Sequence, residues 1–134
     1  MKPSKPLIKF VHTHLAGLLN CMNLSHFALT VQFTTLKNAT MDITPDHRYL
    51  EGKMRIDTKM VMAHWKLGER DEILEALAHE ITHLLTSEMS DPFQWVCRAK
   101  KQTEAEIHFE ERVTEHVSRL ALRLYKLEIG YDKN

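Results

Sequence analysis

His79-Glu80-Ile81-Thr82-His83 stands inside a run whose apolar residues, Ile73, Leu74, Leu77, Ile81, Leu84 and Leu85, recur at three- and four-residue steps. That period belongs to a helix with one buried face. Histidines at i and i+4 of such a helix project from the same side one turn apart, so their imidazoles are placed to share one tetrahedral ion. A salt-bridged polar face is the bland alternative, but it does not account for polar residues interrupting the apolar stripe. Zinc is therefore the expected cofactor, held by His79 and His83. Glu80, adjacent to the first ligand, can reach a water on that ion, act as general base and pass the proton to a leaving amine.

The rest of the chain reads as a frame for this helix. Ile8, Val11, Leu15, Leu18, Leu19 and Met22 predict a packing helix over about residues 6–22. From Phe27 the period changes to two, with Phe27, Leu29, Val31 and Phe33 on one side of a half-buried strand. A second alternation carries Met41 and Ile43 and stops at Pro45; a third carries Met54, Ile56 and Thr58. The polar, turn-prone residues 45–53 read as a loop, and Met60, Met62 and Trp65 as core filling. After Leu67-Gly68 the motif helix begins at Asp71 and Glu72 and runs to about Thr86, with a break expected at Ser90-Asp91-Pro92. Residues 93–102, with Trp95, read as a cover or loop. Thr103-Glu104-Ala105-Glu106 has the form of a capping box opening a last helix over about 104–126. Val113, Val117, Leu120 and Leu124 are the stripe expected to face inward, and residues 128–134 read as a frayed tail.

Composition sets bounds on the partners. With 134 residues and 43% hydrophobic content the chain can bury one core, so a single domain over 1–134 is expected. Lys and Arg number 18, equal to Asp and Glu, which leaves no excess positive charge for nucleic acid or anionic lipid. Cys21 and Cys97 belong to no paired motif and fit reduced, buried thiols of a cytoplasmic protein. Lys9, His12 and His14 interrupt the N-terminal stretch, so no secretory or membrane segment is expected there.

Ala78-His79-Glu80-Ile81-Thr82-His83-Leu84-Leu85 resembles the active-site helix of zincin metallopeptidases. The order of elements, helix, small sheet, motif helix and glutamate-bearing helix, is similar to minimal gluzincins, including metallopeptidases of phages and mobile elements. Metzincins carry Gly and His three and six residues after the second ligand, where this chain has Thr86 and Met89. The resemblance implies an α+β, zincin-like fold with a three-stranded sheet and a third metal ligand, a glutamate, on the last helix. Glu104, Glu106, Glu110, Glu111 and Glu115 are the candidates. Measured from the Val113-Val117-Leu120-Leu124 stripe, Glu110 lies beside the inward direction, whereas Glu111 and Glu115 point roughly away. Glu106 has a competing role in the capping box. Glu110 is thus the expected ligand with Thr114 as its hydrogen-bonding support, and Glu111 is next because Glu110-Glu111-Arg112-Val113 resembles a paired-glutamate signature. His108 is off the stripe and His116 reads as a partly buried helix histidine.

The expected activity is hydrolysis of peptide bonds in a peptide or protein substrate, in the phage-type resemblance one specific cellular regulator. The alternative is a zinc-stabilised module that binds a protein without cleaving it. A strand around Met54 to Thr58 edging the cleft would pair with extended substrate. His47 and Tyr49, ahead of Tyr125 and Tyr131, are candidates to stabilise an oxyanion; His12, His14, His26 and His64 read as ordinary surface or core histidines.

Overall fold

Ser4 opens the first helix: its hydroxyl accepts from the Leu7 amide at 3.4 Å, and Lys5–Cys21 follow as α1 with Leu7, Val11, Leu15, Leu18 and Leu19 buried. In the computed structural model, the described backbone covers residues 2–96 and 104–131, and the described side chains 2–87 and 107–131. After α1 come β1 (Ala28–Thr34), β2 (Met41–Asp46), β3 (Glu51–Asp57), α2 (Thr58–Lys66), α3 (Arg70–Val96) and α4 (Glu104–Ile129). The architecture is α+β, with four helices and one mixed sheet.

Strand order is β1-β3-β2, with β1 parallel and β2 antiparallel to β3. The strand expected to edge a cleft, β3, is therefore central, and its backbone groups are used on both sides. β2 is the edge strand that lies against α3. Pro45 fits there because an edge strand can spare an amide donor. The loop expected over residues 45–53 narrows to a tight turn at 47–50, with Leu50 at φ 52°; its flanks belong to β2 and β3.

The chain enters α2 directly from β3, a helix that the sequence pattern does not announce. Asp57 makes this junction: its carboxylate accepts from the Met60 amide at 2.9 Å and from the Leu36 amide at 2.7 Å. These bonds, the Leu36 one foremost, hold its pKa below the ordinary value. Met62 and Trp65 pack against the core as expected, while Met60 is 44% exposed.

Met54 and Ile56 of β3, the buried face of α1, and Ile73, Leu74, Leu77, Ala78, Ile81 and Leu84 of α3 form one apolar cluster, joined by Leu122 and Tyr125 of α4. α3 continues past Ser90-Asp91-Pro92 to Val96. A helical proline costs about 3 kcal/mol, a penalty that a helix already anchored by this buried face can carry. Of the cover or loop expected over 93–102, residues 93–96 belong to α3; residues 97–102, the capping residue Thr103 and residues 132–134 lie outside the described residues.

α4 differs most from expectation. Its buried residues are Thr114, Ser118, Ala121, Leu122 and Tyr125, whereas Leu120 and Leu124 are 58% and 52% exposed. The inward direction is thus turned from the Val113-Val117-Leu120-Leu124 stripe by roughly the 100° of one residue step. Thr114 meets Thr86 of α3, hydroxyl to hydroxyl at 3.1 Å, so it ties two helices together rather than supporting Glu110. Pairs at Asp71–Lys126, His79–Glu115 and His83–Glu111 show α3 and α4 running antiparallel.

Candidate metal centre

The two motif histidines sit on the side of α3 that meets α4. Neighbouring positions bury Ala78, Ile81, Thr82 and Leu84, which leaves His79 and His83 only 25% and 19% exposed at their side chains. Their ring centroids are 4.9 Å apart with planes at 80°. One donor atom from each of His79, Glu80 and His83 falls within 4.8 Å of the others, a group able to hold a metal ion.

The carboxylate that lies against both rings is Glu111. Its Oε2 is 3.4 Å from His79 Nε2 and its Oε1 is 3.2 Å from His83 Nε2. Two donors each about 2.0–2.1 Å from a tetrahedral ion lie about 3.3 Å from one another, so these spacings suit ligands around a small ion. Glu110 instead comes to 4.0 Å from His83 Nδ1, on the other side of that ring. Both Glu111 and Glu115 face the site, contrary to the stripe-based expectation, because α4 is rotated by that residue step.

Glu115 takes up the remaining nitrogen of His79: Oε2 lies 3.1 Å from Nδ1, a hydrogen bond in which the ring donates. With its proton on Nδ1, His79 presents the Nε2 lone pair to the site. Arg119 holds the other oxygen of Glu115 at 3.0 Å. The sequence offers Glu115 as a candidate ligand pointing roughly away, not as a partner of His79, although the i, i+4 spacing of Glu111 and Glu115 does place both carboxylates on one side of a helix.

The electrostatics ask for a cation. Burial, then the negative charges of Glu111 and Asp42, push the Glu80 carboxyl up to about 8. Burial also holds His83 below its ordinary value, against the opposing pull of Glu111. Carboxylates crowd a half-buried pair of imidazoles whose one nearby arginine, among the described residues, is already paired with Glu115. A divalent ion held here would favour the ionised Glu80 carboxyl and the neutral His83 imidazole alike, so the donor set fits one.

The other sequence candidates are placed elsewhere. His47 Nε2 lies 3.1 Å from Ser87 Oγ, one turn beyond His83 on α3, and its ring meets Phe27 edge-on. It ties the β2–β3 turn to the motif helix. Tyr49 is 67% exposed beneath Arg48. Tyr125 is hydrogen-bonded to His14 at 2.8 Å, and Tyr131 stands edge-on to the same histidine, so neither reaches the histidine pair. His108 and His116 are exposed, and the side chains of Glu104 and Glu106 lie outside the described residues. Among the described residues, no helix is long and apolar enough to cross a membrane. No protein-family model, curated protein or solved structure matches the chain.

Proposed function

We propose that this chain is a zinc-dependent peptidase of gluzincin type, with His79, His83 and Glu111 as metal-holding residues and Glu80 as general base. The observation that carries the reading is the Glu111 carboxylate spanning the Nε2 atoms of two histidines that flank a buried glutamate.

Zinc bound there supplies Lewis-acid polarisation of a carbonyl and makes water a stronger acid. Glu80 takes a proton from water as its oxygen attacks the peptide carbon, then delivers that proton to the amine nitrogen as the C–N bond breaks. Glu115 keeps His79 in one tautomer through the cycle. The free edge of β2, beside α3, offers backbone donors and acceptors to an extended substrate. This arrangement assigns to β2 the pairing role that the sequence alone gave to the third strand. The substrate class is a peptide or an extended segment of a protein, with one specific regulator as the narrow case.

The test is zinc content and proteolysis of the purified chain beside Glu80→Gln. Near-stoichiometric zinc in both, with cleavage of a peptide library only by the wild type, supports the reading. Zinc without cleavage by either leaves a metal-stabilised binding module, and no zinc uptake at all rejects the centre.

A further inference from the structure

α4 turns a stripe of leucines outward. Leu120, Leu124 and Leu127 are 58%, 52% and 73% exposed, and with half-buried Val113 and Val117 they are spaced four, three, four and three residues apart. That alternation is the 3.5-residue repeat of a coiled-coil seam, here running about 20 Å along the helix. The face turned toward the body carries Thr114, Ser118 and Ala121 together with Leu122 and Tyr125.

The borders of the seam differ in charge. Arg112, His116, Arg119 and Arg123, all exposed, line one side. Arg119 is paired with Glu115, while Arg123 has no ion-pair partner among the described residues. On the other side stands Glu128, exposed, with one contact to the Cys21 thiol.

We infer that α4 pairs with α4 of a second copy of this chain, parallel and in register, through Val113, Val117, Leu120, Leu124 and Leu127. Charge selects both the occupant and its direction. A two-fold axis along the helices brings the basic border of each seam against the acidic border of the other, so Arg123 meets Glu128 of the second copy. An antiparallel pair would set basic border against basic border. Glu111 and Glu115, which meet the motif histidines, belong to neither the seam nor its charged borders. A seam of about two heptads makes a modest interface, so the dimer forms in the micromolar range. This inference is independent of the peptidase reading.

Sedimentation equilibrium of the full chain across the micromolar range tests it. The wild type is expected to dimerise; Leu120→Asp weakens the dimer at least tenfold, and Leu120→Ala, a milder change at the same exposed position, by less. Arg123→Glu weakens it severalfold, and adding Glu128→Arg restores it. A monomer at every concentration overturns the proposal, as does a dimer indifferent to Leu120→Asp. Charge exchange without recovery overturns the parallel arrangement. A monomer that binds anionic vesicles through Leu120 replaces the second copy with a membrane surface.

Discussion

Glu111 Oε1 lies 3.2 Å from the Nε2 of His83, whereas Glu110 approaches that imidazole only at Nδ1, at 4.0 Å. Adjacent glutamates therefore meet opposite edges of one ring. Since His79 Nε2 also lies 3.4 Å from Glu111, that carboxylate is the third metal ligand of the proposed centre. Glu111→Ala is expected to weaken zinc binding at least about 100-fold, more than loss of a supporting hydrogen bond does, and Glu110→Ala by less than about tenfold. Competition against a chromogenic chelator measures both; a larger loss for Glu110→Ala would reverse the assignment.

Glu115 meets the proposed centre through His79, whose Nδ1 lies 3.1 Å from its Oε2. Glu115→Ala removes the acceptor of the Nδ1 proton, which frees the ring to rotate and to change tautomer. Zinc affinity should fall by roughly 10- to 100-fold, the usual cost of such an outer partner. Glu115→Gln should fall less, because its amide oxygen still accepts. Arg119→Ala should fall least, since its own side chain is 70% exposed. Nitrogen NMR of the imidazoles supplies a second readout: a mixed His79 tautomer in Glu115→Ala, and Nδ1–H alone in the wild type.

The raised pKa of Glu80 makes the metal-free protein sensitive to alkali. Its carboxyl titrates at about 8 when folded and at about 4.5 when unfolded, so between these values the folded state holds the extra proton. Stability from this group is complete below the unfolded value and is lost as pH rises through the folded one, by roughly 5 kcal/mol at most. His83 works oppositely: its lowered folded pKa makes the folded state weaker as pH falls below 6.5. Urea unfolding with excess chelator should show Glu80→Gln more stable than wild type at pH 9 and little different at pH 4. Equal pH slopes for the two proteins would remove the buried acid from the account.

The motif helix, the packing face of α1 and the three strands were legible because their apolar periods coincide with burial. Leu15 and Leu18 of α1 and Met54 and Ile56 of β3 lie in the core as their spacing predicts. The same rule misled in α4, where Leu120 and Leu124 are exposed while Thr114 and Ser118 are buried. Small hydroxyl residues let α3 and α4 approach closely, and Thr86 and Thr114 satisfy each other there. Nothing in hydrophobic periodicity records such a pairing, and so the stripe turns Glu111 away from the histidines that it meets in the structure. α2 was missed for a related reason: Thr58 extends the alternation of β3, and only the Asp57 side chain, capping Met60, marks the change.

That cap carries a direct test. Asp57 satisfies the amides of both Met60 and Leu36 while being 4% exposed, so Asp57→Ala strands two donors at the β3–α2 junction. Loss of a helix cap costs about 1–2 kcal/mol, and the second orphaned amide adds to it. Asp57→Asn keeps one acceptor and should recover part of that loss. Urea unfolding at neutral pH gives both values, and a neutral Asp57→Ala would mean that water serves these amides equally well.

Gly17 shows where an ordinary helix-stabilising change should fail. In an exposed helix, glycine to alanine gains about 1 kcal/mol. Here a Cβ would fall 2.6 Å from both Cε1 and Oη of Tyr125 and 2.9 Å from its Cζ. Tyr125 cannot swing aside freely: it is 3% exposed, and its hydroxyl is bonded to His14 at 2.8 Å. α1 must therefore move off α4, or the tyrosine must leave its rotamer, and such overpacking typically costs about 1–3 kcal/mol. Gly17→Ala should destabilise the protein on balance, and Tyr125→Leu should absorb part of the loss, so the double variant is more stable than the sum of the two single changes implies. Additive losses would mean that Gly17 is set by something other than the ring of Tyr125.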